Sequence, residues 1–343
     1  MGGQVVNVLV TASGGGTGQS IIKALRLSRL KTNIITTDIN PLSAGLYRGN
    51  KGYLVPPATS PRYVEVLIDI CKKEAIDVVL VGSDPELPVL SAYKEQIETA
   101  TGSKVVVSPP GVIEISRDKW NTYLFLKENG FPHPRSALPD KMWELVDEVG
   151  FPVIIKPRAG SASKDVYKLT NRDELAALLT RVNDPMIQEY IGSETEEYTS
   201  GAVMFDTQIL GVISVKRELK GGMSYRAFAD NYKQIEAMVS NIVTALRPFG
   251  PCNLQMRMAG DIPVTFEINT RFSGTTAFRA ALGFNEVESA LRFVLFGEKQ
   301  PLNYQRGIAI RYWNEVYINY EDYEKLKDKQ VIENSNSRII DYF

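Results

Sequence analysis

The chain has little of the chemistry that side-chain nucleophile mechanisms need. Its 343 residues include one histidine, His133, and two cysteines, Cys71 and Cys252. A Ser-His-Asp or Cys-His mechanism would depend on His133, and a histidine-rich zinc site is excluded. His133 lies between two prolines, which favours a structural role in a rigid connector. The cysteines lie far apart in apolar contexts, which favours burial over a disulfide or metal site.

Strong net charge and long apolar runs are absent too. The formal net charge is −1 and the pI is about 6.1, so the chain lacks the basic field of nucleic-acid-binding proteins. No apolar run approaches the ~18–20 residues of a membrane span, and the N-terminus enters a strand without a cleavable leader. We therefore expect a cytoplasmic protein that binds neither nucleic acid nor membrane. Its length predicts two or three domains.

The first 110 residues alternate predicted strands and helices, which implies a parallel sheet with helices on both faces. Ligands of such sheets bind at the carboxyl ends of the strands. The predicted strands are Val5–Val10, Asn33–Thr37, Asp77–Val81 and Lys104–Val107, and the predicted helices are Gln19–Leu27, Arg62–Lys73 and Glu86–Gln96. At the binding edge, the candidate substrate-binding residues are Gly14, Gly15, Gly16, Asp84 and Glu86.

The same region supports an alternative function. A glycine-rich turn after the first strand is followed, about 20 residues later, by Asp38, a spacing similar to the dinucleotide-binding fingerprint. Asp38 would then hold a ribose of NAD or NADP. An NAD(P)-dependent oxidoreductase is therefore the alternative enzyme, although it gives no role to the charged residues found further along the chain.

The most informative segment is VTFEINTRFSGT, residues 264–275. Successive residues of a strand face opposite sides, so Glu267, Asn269 and Arg271 are predicted to share one face. Two oxygen ligands and a guanidinium suit a site for Mg²⁺ and polyphosphate. A solvated polar face is the alternative interpretation. Gln255, on another short predicted strand, is a candidate third oxygen ligand.

Three further segments carry candidate ligand-binding residues. An apolar strand ends in Lys156 and opens into a loop of small residues, whose backbone amides can approach a phosphate; a flexible surface loop is the alternative. The segment MIQEYIGSETEEYTSGA at 186–202 can present backbone groups to an adenine and Glu197 to a ribose, or form a plain acidic hairpin. The charged segment around Gly221-Gly222, with Arg226, is either a mobile substrate loop or an ordinary hairpin.

In this order, the segments resemble the ATP-grasp superfamily, and most closely its carbamoyl-phosphate-synthase-like branch. The resemblance extends over residues 5 to 300 and includes Asp118-Lys119 at the predicted start of a helix. It implies a cofactor set of ATP and Mg²⁺, with Mn²⁺ as a substitute ion, and no NAD. The family's second arginine after Arg271 is displaced here to Arg279, and Ser273 is a further candidate for substrate contact.

The implied site residues fall into three groups. The catalytic residues are Lys156, Asn269 and Arg271. The metal ligands are Gln255, Glu267 and Asn269. The ATP-binding residues are Lys119, Lys156, Ser161, Ala162, Ser163, Glu189, Tyr190, Ile191 and Glu197.

The resemblance also implies an architecture and an activity. We expect an α/β and α+β chain with a parallel pre-ATP-grasp domain at 1–112 and a two-subdomain ATP-grasp domain at 113–300. The small lid subdomain covers about 120–188, the larger one about 189–300, and an extension at 301–343 packs on the ATP-grasp domain. The implied activity is a ligase that joins small-molecule carboxylates and amines. The sequence leaves the oligomeric state open, with a homodimer as one candidate assembly. An ATP-binding protein without catalysis is the second alternative.

Overall fold

The computed structural model describes residues 5–160 and 163–340. Within these residues the strands form three sheets, and helices lie between the strands along the chain. The strands are β1 (Val6–Val10), β2 (Thr32–Asp38), β3 (Lys51–Leu54), β4 (Val78–Leu80), β5 (Lys104–Val106), β6 (Ser136–Ala137), β7 (Val153–Pro157), β8 (Tyr167–Leu169), β9 (Pro185–Glu189), β10 (Glu197–Phe205), β11 (Gln208–Lys220), β12 (Met223–Ala229), β13 (Gly250–Ala259), β14 (Ile262–Asn269), β15 (Gly307–Ile310) and β16 (Val331–Glu333). The helices are α1 (Gly16–Arg26), α2 (Tyr63–Lys73), α3 (Leu87–Ala92), α4 (Lys94–Thr101), α5 (Pro110–Arg117), α6 (Lys119–Glu128), α7 (Met142–Val149), α8 (Arg172–Leu178), α9 (Lys233–Leu246), α10 (Thr276–Ala281), α11 (Glu286–Phe296) and α12 (Tyr320–Lys329).

The N-terminal sheet has the order β16-β3-β2-β1-β4-β5, and β1 to β5 are parallel. Its central strands are apolar on both faces because helices cover both. Val8 and Val10 pack with Ile21 of α1, whereas Leu9 packs with Leu67 of α2 on the other side. The predicted parallel α/β domain is therefore confirmed.

The second sheet, β6-β9-β7-β8, is antiparallel and belongs to a small subdomain. Val153 and Ile155 of β7 pack against Leu145 of α7 and Leu175 of α8. Lys156 lies between these apolar residues and the loop, on the opposite face of the strand from Ile155. The core on one face of this sheet thus turns Lys156 toward the other face.

The third sheet is antiparallel, in the order β14-β13-β10-β11-β12-β15. Helix α9 covers one face, where Val239 packs with Leu254 and Ile268. Helix α11 covers the other face, and its Val287 shares one continuous core with Phe205 of β10 and with Val8 of the N-terminal sheet. The N-terminal domain and the larger subdomain are therefore packed against each other.

The C-terminal segment differs from its expected placement on the ATP-grasp domain alone. Strand β15 pairs with β12, but β16 pairs with β3 of the N-terminal sheet. Ile332 is buried there beside Leu46 and Leu326 of α12. The open edge of β3 provides the hydrogen-bonding partners that β16 needs.

Smaller differences concern element boundaries. The single helix predicted at 86–96 is divided at Tyr93 into α3 and α4. Helix α5 crosses the predicted domain boundary between 112 and 113. The segment around Gly221-Gly222 is a tight β11–β12 hairpin, and both glycines have positive φ, which glycine adopts without strain. Both cysteines are buried and free.

Candidate ATP-binding site

Strand β14 presents the predicted polar face. Asn269 Nδ2 donates to Glu267 Oε1 at 2.9 Å, and Arg271 Nη2 donates to Asn269 Oδ1 at 3.1 Å. The intervening residues, Ile268 and Thr270, are buried on the opposite side. Three consecutive side chains of one face are thus joined by hydrogen bonds, as the alternation of a strand predicts.

The neighbouring strand adds Gln255. It lies directly opposite Glu267 in the β13–β14 ladder, so both side chains belong to the same face. Carboxylate and amide oxygens on one face fit a hard divalent cation that keeps water and phosphate oxygens as its other ligands. Among the described residues, no group of three or more His, Cys, Asp or Glu side chains could hold a metal ion. Phosphate oxygens would have to complete the coordination.

Two lysines line the cleft together with this strand. Lys156, at the end of β7, is 4% exposed and donates from Nζ to Gln188 Oε1 at 2.7 Å. Burial is the main cause that lowers its pKa to about 7; the positive charges of Lys119 and Arg257 act in the same direction, and Glu267 opposes them. An anion that binds beside this amine would stabilise its charged form.

Lys119 is placed by the start of α6. The Asp118 carboxylate caps this helix by accepting from the Trp120 amide at 2.8 Å, and Arg158 holds the same carboxylate through its Nη2 at 2.5 Å. Lys119 Nζ donates to the Gly160 carbonyl at 2.9 Å. The helix start therefore fixes Lys119 against the loop that follows β7.

The loop after β7 is described only in part. Ser161 and Ala162, both predicted to bind ATP, lie outside the described residues. Ser163 lines the cleft and has a φ of 55°, in the left-handed region. Gly160 and Lys164 line the cleft as well. Lys164 adds a cation that the sequence analysis did not select.

The segment between β9 and β10 forms another wall of the cleft. Glu189, Tyr190 and Ile191 all line it, as predicted for the adenine-binding segment. The Glu189 carboxylate accepts from the Arg135 amide at 3.0 Å, which ties this wall to the chain before β6. The Cζ atom of Arg257 lies 5.2 Å from the ring centroid of Tyr190 and 5.9 Å from the ring centroid of Phe266.

Glu197 lines the same cleft but is held by two arginines. Arg217 and Arg257 lie directly opposite it on the two flanking strands. Arg217 Nη2 approaches Oε1 at 2.5 Å, and Arg257 Nη2 approaches Oε2 at 2.8 Å. Arg217 Nη2 also donates to Gln255 Oε1 at 2.8 Å. Arg217 thus binds both Glu197, the predicted ribose ligand, and Gln255, the predicted metal ligand.

These residues converge on one cleft between the four-stranded sheet and the antiparallel six-stranded sheet. Its walls carry five cationic and three anionic side chains, an excess that favours a polyanionic ligand. The cations are Lys119, Lys156, Lys164, Arg217 and Arg257, and the anions are Glu189, Glu197 and Glu267. Apolar side chains complete the walls, among them Ile154, Val166, Leu219 and Phe266.

Comparison with known families decides what this arrangement is. The N-terminal domain of PylC-like proteins matches residues 8–106, and the ATP-grasp domain matches residues 116–275. The second match contains every strand that lines the cleft. Residues 116–275 belong to the ATP-grasp domain family. The resemblance inferred from the sequence is thereby confirmed.

Curated relatives and solved structures agree with this ATP-grasp assignment. A carbamoyl phosphate synthase large chain of Methanosarcina mazei is 22% identical over 306 residues, 82% of this chain and 28% of that one. The corresponding Pyrococcus furiosus protein is 23% identical over 192 residues, 52% of this chain and 18% of that one. The chain therefore spans less than a third of the length of these relatives.

The fold is also similar to that of a solved carboxylase. The biotin carboxylase domain of Hydrogenobacter thermophilus 2-oxoglutarate carboxylase, crystallised with MgADP, ADP and bicarbonate, has a TM-score of 0.70. It is 16% identical, and the match covers 93% of this chain and 76% of that chain. The likeness shows that the ATP-grasp fold of this chain includes the N-terminal domain.

The N-terminal domain of this ATP-grasp protein contributes one residue that contacts the polar strand. Asp84 forms a two-point ion pair with Arg271. Glu86 is instead buried among Thr11, Tyr63 and Ser83, whose hydroxyls donate to it. Burial raises its pKa. Its predicted substrate contact is therefore contradicted, because both of its oxygens serve the core of this domain.

The glycine-rich turn is packed by the chain itself. A Cβ at Gly14 would lie 2.3 Å from the Ser43 hydroxyl, and one at Gly45 would lie 2.0 Å from the Ser13 carbonyl. The Asp38 carboxylate accepts from the amides of Gly14 and Asn40. Segment 43–45 thus covers Gly14, and Asp38 serves the turn, which leaves the dinucleotide alternative without its ribose carboxylate. Gly15 and Gly16 have more space and remain predicted substrate contacts.

Three other predicted substrate residues are not on the cleft. Arg226 is about half exposed and pairs with Glu218 across the hairpin. Arg279 is completely buried and pairs with Glu286, and its Nη2 donates to the Ser273 hydroxyl at 2.8 Å. A buried guanidinium with a buried carboxylate holds the turn after Arg271 together. The complete burial of Arg279 contradicts its predicted substrate role, and Ser273 is buried in the same network. Arg226 stays a predicted substrate contact, since an exposed position is compatible with that role.

Sequence reasoning missed several residues of this ATP-grasp cleft. Gln188 holds Lys156, and Arg257 holds Glu197. A signal existed for Arg257, because it stands two residues after Gln255 on one strand and so shares its face. For Gln188 the pairing of β7 with β9 had to be known, since it lies opposite Ile154 in that ladder.

Proposed function

We propose that the protein is an ATP- and Mg²⁺-dependent ligase that activates a carboxylate as an acyl phosphate for attack by an amine. One observation carries this proposal: Lys119 and Lys156 face Glu267 across a single cleft. Two amines beside an oxygen-rich strand suit a triphosphate and its metal ion. A related structure supports a nucleotide as the ligand, because the Hydrogenobacter carboxylase domain was crystallised with MgADP.

The chain's own residues would divide the work of holding the nucleotide. Lys156 and Lys119 would bind the phosphates, and Arg257 with Tyr190 would line the space for the base and ribose. Glu267, Asn269 and Gln255 would hold Mg²⁺. An ion held by these residues would neutralise the negative charge that develops on the phosphate oxygens during transfer.

The proposed reaction has two balanced steps. A carboxylate oxygen attacks the γ-phosphorus, the bond to the bridging oxygen breaks, and ADP leaves. The amine nitrogen then attacks the acyl carbon, the bond from that carbon to the phosphate oxygen breaks, and phosphate leaves. Starting from an ammonium ion, one proton is released overall. Lys156 and Arg271 would stabilise the phosphoryl group in transfer, and no protein nucleophile is required.

The carboxylate would enter from the side of the N-terminal domain. Asp84 reaches Arg271 from that domain, so the Ser83–Asp84 turn borders the polar strand. Carbamoyl phosphate synthesis is not part of the proposal, since the chain spans less than a third of the relatives that bear that name. Amino acids, small peptides and sugar acids are the candidate substrates.

The first test compares the unfolding temperature of the protein with Mg²⁺-ATP, ATP plus chelator, NAD⁺ and NADP⁺. A ligand at a hundredfold excess over its dissociation constant stabilises the folded state by about 2.7 kcal/mol. We expect stabilisation by Mg²⁺-ATP that the chelator reduces. Stabilisation by a dinucleotide alone would refute the proposal and restore the oxidoreductase alternative.

The second test measures phosphate release from ATP in a matrix of carboxylates and amines. Release that requires both partners, together with an amide product seen by mass spectrometry, is the expected result. Hydroxylamine added with a carboxylate would trap the acyl phosphate as a hydroxamate. Tight ATP binding without release anywhere in the matrix would favour the second alternative, an ATP-binding protein without catalysis.

A further inference from the structure

Glu197 has no hydrogen-bonding capacity left for a ligand. Its Oε1 accepts from Arg217 Nε at 3.0 Å and Nη2 at 2.5 Å. Its Oε2 accepts from Arg257 Nε at 3.0 Å and Nη2 at 2.8 Å. A carboxylate offers about four lone-pair sites, and all four are used. The side chain is only 5% exposed, so solvent does not compete.

Arg217 also engages a second group that faces the cleft. Its Nη2 donates to Gln255 Oε1 at 2.8 Å, and Gln255 stands opposite Glu267 in the sheet. One guanidinium therefore binds both the Glu197 carboxylate and the Gln255 amide. A ligand that needs the Glu197 oxygen held by Arg217 must displace this side chain, and a ligand that approaches Gln255 Oε1 meets the same guanidinium.

The two arginines are not equivalent. Arg257 is held by Glu197 and lies within 6 Å of the ring centroids of both Tyr190 and Phe266. Among the described residues, Arg217 has no such aromatic neighbour, and its partners are the two oxygens named above. Arg217 is therefore the side chain that can leave, while Arg257 keeps Glu197 oriented from the other side.

We propose that Arg217 moves from Glu197 and Gln255 onto the nucleotide phosphates when the nucleotide binds, and thereby frees Glu197 for the ribose hydroxyls and Gln255 for the metal ion. Arg257 is the positioning residue that holds Glu197 during this exchange. The inference rests on the proposed function, since it takes the cleft to bind a nucleoside triphosphate. Glu197, Arg217 and Arg257 together carry a net charge of +1. The negative phosphates therefore attract the guanidinium that leaves Glu197.

The proposal predicts that loss of Arg217 strengthens the binding of adenosine and weakens the binding of Mg²⁺-ATP. Adenosine has the ribose but no phosphate, so in the wild-type protein it must displace Arg217 without offering the guanidinium a new partner. In Arg217→Met, adenosine should bind several-fold more tightly than in the wild type. Mg²⁺-ATP should bind about tenfold more weakly, because a charge-assisted phosphate contact is lost.

The experiment is calorimetric titration of adenosine and of Mg²⁺-ATP into the wild type, Arg217→Met, Arg217→Lys and Arg257→Met. Lysine keeps the charge but not the two-point grip on Glu197, so Arg217→Lys should recover much of the Mg²⁺-ATP affinity while keeping the gain for adenosine. Arg257→Met should weaken adenosine, because Glu197 loses its fixed partner. Should Arg217→Met fail to fold, Arg217→Lys carries the comparison.

If the Arg217 variants lost affinity for adenosine and Mg²⁺-ATP alike, the exchange would be refuted, and Arg217 would have only a structural role. Unchanged affinities would overturn it equally. Failure of the wild type to bind Mg²⁺-ATP would instead refute the proposed function. A further readout is the preference for ATP over 2′-deoxy-ATP, which should fall in Glu197→Gln if the freed carboxylate reaches the ribose.

Discussion

Arg271 at the end of β14 forms a two-point ion pair with Asp84 of the N-terminal domain, with Nη2 and Oδ2 2.8 Å apart. The same guanidinium donates to Asn269 Oδ1 at 3.1 Å. One side chain therefore connects the polar strand of the cleft to the turn at the carboxyl edge of the parallel sheet. The position of the N-terminal domain and the orientation of Asn269 depend on the same contact.

Replacing Asp84 with Asn should destabilise the protein. Arg271 has a side chain 11% exposed and would lose its only carboxylate partner among the described residues. We expect a loss of about 2 kcal/mol in the free energy of unfolding, less than for a fully buried pair because Asp84 is one-third exposed. Urea denaturation measures it.

The matched control for this change is Glu218→Gln, which removes the exposed pair with Arg226. Exposed pairs contribute at most about 1 kcal/mol. A cost for Asp84→Asn no larger than that of the control would show that Arg271 does not depend on Asp84.

Lys156 makes stability depend on pH. Its pKa is about 7, below the ordinary value of 10.5, so charging the amine opposes folding. The penalty is absent above the unfolded pKa, grows as pH falls toward 7, and is constant below it. Lys156→Met should therefore be more stable than the wild type at pH 7 by a few kcal/mol, and the advantage should vanish as pH rises toward 10.5. Denaturation at several pH values tests this.

The same amine should take up a proton when nucleotide binds at pH 8 to 9, since phosphates raise its pKa. Titration of Mg²⁺-ADP in two buffers with different heats of ionisation reveals the uptake. It should disappear below pH 6, where the amine is already charged. Uptake that persists in Lys156→Met would assign the proton to another group.

Glu267→Gln should show how far turnover and ADP binding depend on Mg²⁺ held by this carboxylate. The amide keeps the shape and one oxygen but loses the charge that suits a hard cation. We expect turnover to fall by on the order of 100-fold or more, and ADP binding to lose most of its dependence on Mg²⁺. Glu148→Gln, an exposed carboxylate on α7, is the control. Full Mg²⁺ dependence in Glu267→Gln would move the metal site elsewhere.

Arg279 should matter for stability rather than for substrate affinity. It is completely buried against Glu286, and both side chains are at most 1% exposed. Removing one partner of a buried pair costs about 3–5 kcal/mol, so Glu286→Gln should unfold at much lower urea concentration. Arg279→Lys should leave the KM for ATP unchanged in the folded fraction. A selective rise in the KM for a substrate would restore the predicted substrate role.

Much of the site could be predicted because strands impose a period of two. Glu267, Asn269 and Arg271 share a face for this reason, and Lys156 ends a strand whose apolar neighbours face the core. The parallel N-terminal sheet followed from buried apolar strands between amphipathic helices. The ATP-grasp assignment then followed from the order of these motifs along the chain.

Other features could not be predicted because they are contacts between distant segments. Glu197 was selected as a ribose ligand, but only the pairing of β10 with β11 and β13 places an arginine on each side of it. The partner of Arg271 depends on how the N-terminal domain packs, and β16 joins that domain because β3 offers an open edge. Local sequence determined which side chains face the cleft, whereas tertiary packing decided which of them are already paired.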